Sequence, residues 1–417
     1  MADSCPSGEA LLFPGSTGLP RMSTVAETGT HRPGGRAWND WLLIIVFATL
    51  LGLPTVDYFL GIDHTQAPGE NRLPAPVPRL VAWNVAGAQQ YLAASETYFN
   101  DHFGCRKRLI RWFQQWKMRL YQDQSGTKVV AGKNHWLYTG EQQMVDHYLG
   151  LAKFTPAELS TWQMLLEKRR DWLRQRGIRY LLVIPPDKQT VYPEFLPAWL
   201  TDAVPKDRET KLDQFLHYMH AHSSVEILDL RPVLLAAKTN TPVYLQNDTH
   251  WNLYGGFVAG QEVVKTLAQD IPGIPPLNSA DFRWTNTPMP GGDLARMAGS
   301  EAVDLNHFSF QPGPTLPLLH TNENDRFKSN WGIKMVFTTE NPGPLPHNVV
   351  VFRDSFGEAW QSFMGYSFKR AVYELNNQEF STTLISSNAP AVVINEMLER
   401  YFDTTDPAEM LKVDGLP

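Results

Sequence analysis

The chain has 417 residues, 43% of them hydrophobic and 19% charged, with a formal net charge of -6. That length and apolar content bury a substantial core, which excludes a disordered protein and fits one large domain with a tail. The small net charge, with no basic stripe, argues against nucleic acid as a partner.

Residues 1–40 are rich in Gly, Pro, Ser and Thr without apolar periodicity, and are expected to form a disordered cytoplasmic tail. Residues 41–62 read WLLIIVFATLLGLPTVDYFLGI, uncharged as far as Leu53, then Pro54 and a single Asp57. At about 1.5 Å per residue this just covers a bilayer core of roughly 30 Å, so one transmembrane signal anchor is predicted. Arg21, Arg32 and Arg36 precede it and Asp63 follows, which keeps the tail inside and puts the remainder on the outer, periplasmic face of the inner membrane. A cleaved signal peptide is the alternative, although no small-x-small site follows the apolar core. Cys5 and Cys105, the only cysteines, fall on opposite sides of this segment. A span therefore excludes a disulfide between them, and no thiolate zinc site is available.

Residues 63–84, with Pro68, Pro74, Pro76 and Pro78, read as a linker, and 85–417 as the main domain. From Val85 to about Gln122 apolar residues recur at helical spacing (Leu109, Trp112, Phe113, Trp116, Leu120), predicting one or two amphipathic helices. The basic run Lys107, Arg108 and Arg111 reads as their solvated face. A helix over 156–176 ended by Gly177 leads to a strand over 180–184, a helix near 211–220, a strand over 225–229 and a helix over 255–268. Residues 271–345, rich in Pro and Asn, look like an insertion or a set of substrate loops. Strands over 348–352, 371–375 and 391–395 follow, with a helix after Ser355. The alternation predicts a three-layer α/β domain with a mostly parallel sheet.

Two segments carry chemistry. Val350 to Phe352 form an apolar strand that delivers Arg353, Asp354 and Ser355 at its carboxyl end, where side chains project into the crevice of an open α/β sheet. Asp248 and His250, two apart, can face the same way, so the carboxylate holds the imidazole tautomer while the other nitrogen takes the serine proton. Taken alone, Ser355 reads equally as a helix N-cap, and Asp248 or Thr249 as caps of the next helix. A metal centre on Asp248, His250 and Asp293 competes, but phosphoester chemistry on two metals needs further His and Asp clusters, so no metal is assigned. Trp251 and Tyr254 are candidate cleft aromatics, or core. Arg353 is a candidate substrate contact or partner of Asp354. Asn395, ending the last strand, is a candidate oxyanion donor beside the Ser355 N–H.

The Asp-x-His-Trp segment and a strand ending in Asp-Ser-Phe resemble the SGNH-hydrolase-like polysaccharide O-acetyltransferases, the alginate-type AlgJ/AlgX group. Tyr98 to Gly104 with Arg106 is similar to that family's amino-terminal helix, and Gly132 to Tyr138 to its Gly-x-x-x-Trp-Leu-Tyr element. Pro185 to Lys188 with Tyr192 and Pro193 resembles its post-strand loop, and Gly292-Asp293-Leu294 its Gly-Asp-Leu turn. The matches run in order from about Tyr98 to Phe402. Arg353 departs from the pattern, which has Gly before Asp-Ser. The family's Glu-x-x-x-Arg is met by Glu396 and Arg400, read as a structural ion pair. The resemblance implies a triad of Asp248, His250 and Ser355, acetyl transfer to an exported polysaccharide without metal or soluble cofactor, and a membrane-bound O-acyltransferase partner that hands over acetyl groups. An exported carbohydrate acetyl esterase and a non-catalytic polysaccharide-binding or assembly protein are the alternatives.

Overall fold

The computed structural model describes residues 34–62, 75–80, 82–106, 108–110, 112–113, 128–141, 143–329, 332–375 and 379–416. The expected tail up to residue 33, the linker over 63–74 and the helical pattern over 114–122 lie outside them. Helix α1 (Gly34–Leu60) starts earlier than residue 41, and its stretch Asp40–Leu60, with a mean hydropathy of 2.0, is the one helix among the described residues long and apolar enough to cross a membrane. Its last turns meet the end of α2 (Val85–His102): a Cβ on Gly104 would lie 2.0 Å from Pro54 O, and Asp57 Oδ2 accepts the Cys105 N–H at 2.5 Å. Only a residue without a side chain fits that crossing.

The main domain is built on a seven-stranded sheet. Its strands are β1 (Arg179–Ile184), β2 (Ile227–Asp229), β3 (His320–Ser329), β4 (Gly332–Glu340), β5 (Asn348–Arg353), β6 (Arg370–Leu375) and β7 (Val392–Glu396), in the spatial order β2-β1-β7-β5-β6-β4-β3. The first five in that order are parallel; β4 and β3 complete the sheet antiparallel. The sheet is therefore mixed and mostly parallel, as expected. Central β5 reads NVVVFR because both its faces are covered. Val349 and Val351 point to one apolar layer, with α5 (Leu253–Ala268), while Val350 and Phe352 point to the other, with α3 (Pro156–Arg174) and α4 (Lys211–His222). Both α3 and α4 open on capping boxes, Thr155 with Glu158 and Thr210 with Asp213.

Residues 271–345 are more than loops. They supply β3 and β4, which the sequence reading missed because β3, HTNENDRFKS, is defined by its pairing with β4 and not by an apolar run. They also form two small ribbons, Phe282–Asn286 with Phe308–Pro312 and Met289–Pro290 with Val303–Asp304. The second ribbon leads into Gly292 and Asp293.

Candidate active site

Strand β5 ends at Arg353, and Asp354 shapes the turn that follows. Its Oδ1 accepts from Phe356 N at 2.8 Å and its Oδ2 from Leu398 N at 2.9 Å, while its own N–H donates to Glu396 Oε2 at 2.8 Å. The capping work thus falls to Asp354. Ser355 makes no side-chain capping bond, which leaves Oγ for another partner. The expected helix after it is a 3-10 segment, Phe356–Ser362. Side chains from elsewhere claim its carbonyls: Trp251 Nε1 donates to Phe356 O at 3.0 Å and Tyr373 OH to Trp360 O at 3.2 Å.

His250 approaches from the loop before α5. Its Nε2 lies 2.8 Å from Ser355 Oγ, and its Nδ1 lies 2.6 Å from Asp248 Oδ1. Asp248 Oδ1 also accepts the His250 backbone N–H at 3.0 Å, and Oδ2 accepts the Asp293 N–H at 2.9 Å. Asp293 in turn binds Thr249, accepting from its N–H at 2.8 Å and its hydroxyl at 2.6 Å. Gly292 permits this closeness, since a Cβ there would stand 2.0 Å from Asp248 Oδ2. The loop is further tied by Asn247 N to Asp304 Oδ2 at 2.8 Å and by Lys188, whose Nζ reaches three of its carbonyls.

Burial alone would lower the His250 pKa, but the Asp248 hydrogen bond and the Asp248 and Asp293 charges outweigh it and raise it above the ordinary value. Asp248 is held well below the usual carboxylate range: burial pushes it up, and the His250 N–H, the imidazolium charge and two backbone donors more than reverse that. The pair is arranged to stabilise a protonated imidazole, as a serine-activating base requires.

The remaining candidates fall away from this line. Trp251, 4% exposed, bolts α5 to the Ser355 segment from within the core. Tyr254 packs against Trp284 and Phe308. Arg353, 3% exposed, donates to Asp354 O at 2.9 Å and, with the Gln361 amide oxygen turned toward it, to Gln361 at 3.2 and 2.7 Å. It is a buried turn residue and makes no cleft surface. The arginine is accommodated because Gly357 lies over it, where a Cβ would come within 2.7 Å of Arg353 Cβ. Asn395 is on the wrong face of the sheet as an oxyanion donor: with Val393 it faces the α3 layer, where Oδ1 accepts from Arg169 Nη1 at 2.7 Å and Tyr180 OH at 3.2 Å. The expected Glu396–Arg400 pair is replaced by two others. Arg400 bonds Asp187 at 2.5 Å, and Glu396 accepts the Asp354 N–H; burial and the Asp354 charge push the Glu396 pKa well above the ordinary carboxylate value.

Two groups among the described residues have metal-ligand types within reach of one another. In Asp248, His250 and Asp293 every side chain already serves another: both imidazole nitrogens and both Asp293 oxygens are engaged. The second, His147, Asp187 and Glu399, is buried and charge-balanced, since Asp403 joins the carboxylates while His147, Lys211 and Arg400 oppose them. Burial alone would lower His147; its bonds to Asp403 and Glu399 push it up to about 10 instead.

Residues 129–314 match the family model described as "SGNH hydrolase-like domain, acetyltransferase AlgX". That segment takes in Asp248 and His250 and stops short of Ser355. A probable alginate O-acetylase AlgJ from Pseudomonas syringae pv. tomato is 30% identical over 183 residues, 44% of either chain, and one from Pseudomonas fluorescens is 28% identical over 189 residues. The chain is AlgJ/AlgX-like over this part, and spans 44% of the length of these curated relatives. Among solved structures, Bacillus cereus PatB1 superposes with a TM-score of 0.47 at 17% identity, covering 67% of this chain and 98% of that one. The O-acetyltransferase domain of Pseudomonas putida AlgJ gives 0.42 at 19% identity, covering 69% and 98%.

Proposed function

We propose that the chain transfers acetyl groups to hydroxyls of an exported polysaccharide through an acetyl-enzyme on Ser355. The observation that carries this is the unbroken line from Asp248 through His250 to Ser355 Oγ, at 2.6 and 2.8 Å. His250 Nε2 takes the hydroxyl proton as Oγ attacks the acetyl carbonyl, and returns it to the departing group as the tetrahedral intermediate collapses. A sugar hydroxyl then gives its proton to the same nitrogen, attacks the acetyl-serine and releases Ser355 with its proton restored. Asp248 stabilises the imidazolium in both halves. The relatives' description as alginate O-acetylases supports a polysaccharide acceptor. The apolar helix Asp40–Leu60 supports anchorage in a membrane; with the domain on the periplasmic face of the inner membrane, a membrane-bound O-acyltransferase beside it would supply the acetyl groups.

The test is acetyl release from a chromogenic ester by the full chain in detergent, with and without oligosaccharides from candidate polymers. The wild type should acetylate a sugar, Ser355→Ala should be inert, and Asp248→Asn should fall by on the order of 10⁴. Because His250 must be neutral to act as base and its pKa is raised, the rate should climb as pH rises through that value. Acetate without sugar acetylation would mark an esterase; a wild type no faster than Ser355→Ala would leave the binding or assembly role.

A further inference from the structure

The half of the site that carries the base has little regular structure of its own. Between the bridge residues Tyr244 and Trp251 the chain runs as bends, yet it must present Asp248 and His250 to a serine 105 residues further on. Lys188 lies beneath this loop, on the turn after β1 and 2% exposed. Its Nζ donates to the carbonyls of Leu245 at 3.1 Å, Gln246 at 3.0 Å and Asp248 at 2.7 Å. An ammonium has three protons, and three carbonyls take them. The rings of Trp136 and Tyr138 flank it with centroids at 5.5 and 5.2 Å. Three carbonyl dipoles turned to one point repel each other unless a positive group sits there.

We propose that Lys188 is a positioning residue for acyl transfer, whose ammonium gathers the carbonyls of residues 245, 246 and 248 and so holds Asp248 and His250 in line with Ser355. This rests on the reading of Ser355 as nucleophile. Lys188 touches none of the three triad side chains; it acts through the backbone they hang from.

The charged groups facing it are the carboxylates of Asp248, Asp293 and Asp304, which favour the ammonium, while burial, the stronger influence, brings its pKa down to about 7. Above neutrality the amine therefore has two N–H groups for three carbonyls and no charge. A residue that merely fills space leaves no such mark on a rate profile.

The experiment compares the full-length wild type with Lys188→Gln, measuring para-nitrophenyl acetate turnover and covalent trapping of Ser355 by phenylmethylsulfonyl fluoride across pH. In the wild type both rates should pass through a maximum, rising as His250 loses its proton and falling as Lys188 loses its own. In Lys188→Gln, kcat should drop roughly a hundred-fold, the scale of an ångström's misplacement, with KM nearly unchanged and the alkaline fall gone. A folded Lys188→Gln with wild-type kcat and profile would overturn the proposal while leaving Ser355 as nucleophile. A wild type inert toward both reagents would overturn that reading and this proposal with it. Should the variant fail to fold, the wild-type trapping profile decides alone, and one that stays level on the alkaline side refutes the role.

Discussion

At the scale of single residues the site depends on side chains that are missing as much as on those present. Gly292, at φ -75 and ψ -147, lies outside the left-handed region that favours glycine, so its need for glycine rests on space. Gly292→Ala places a methyl group 2.0 Å from Asp248 Oδ2, and backbone carries it, so the carboxylate must yield. We expect a folded protein that loses about two orders of magnitude in ester turnover, with KM little altered, read from steady-state kinetics of the purified variant. That Asp248, His250 and Ser355 meet was legible in the sequence from their types and local spacing. Lys188 and Gly292 were visible as motif letters whose roles were not, since each acts on a partner 44 to 60 residues away. Asn395 and Arg353 misled for a simpler reason. A residue at a strand end faces one layer or the other according to parity, and parity against the serine needs the register of neighbouring strands.

At the scale of elements, α5 and the Ser355 segment meet through glycine and indole. A Cβ on Gly256 would lie 2.4 Å from that of Ala359. Trp360 Nε1 donates to Gly256 O at 3.1 Å, and Trp251 returns the bond to Phe356 O. Gly256→Ala should therefore act as a wedge between α5, which follows the His250 loop, and the segment after Ser355. It should cost about 1–3 kcal/mol, the scale of overpacking, measured as a lowered urea midpoint. The buried parallel strands and long amphipathic helices were readable from runs and periods, and the parallel α/β architecture with them. The polar edge strand β3 and the 3-10 form of the Ser355 segment were not, because one is fixed by its neighbour and the other by indole and phenol donors reaching in from distant positions.

At the scale of the whole molecule, two buried cations oppose each other. His147, raised from 6.5 to about 10, holds a proton in the folded state that the unfolded chain releases, so its contribution is full below about pH 6.5 and is lost as pH climbs toward 10. Lys188, lowered from 10.5 to about 7, does the reverse: the unfolded chain binds the extra proton between those values, and stability rises with pH across them. At about 1.4 kcal/mol per unit these slopes are each substantial and nearly cancel in the wild type. Urea midpoints followed from neutral to alkaline pH should thus stay level in the wild type, rise in His147→Gln and fall in Lys188→Met. Both variants should start lower, His147→Gln by a few kcal/mol because Asp403 and Glu399 lose their counter-charge. A sloping wild-type curve with unchanged slopes in the variants would contradict the pairing.

The turn at Gly292 and Asp293 has a meaning in time as well as in space. Asp248 has no proper seat until chain 45 residues downstream has come back to it, and His250 meets no serine until β5 has entered the sheet a further stretch along. Contacts of such separation form late, because each must first close its loop. A chain emerging from synthesis or from export therefore passes through lengths at which its helices and first strands exist and its chemistry does not. Ser355 in turn is fixed only when β6 and β7, both later in the chain, have flanked β5 and when Glu396 and Leu398 have met the Asp354 turn.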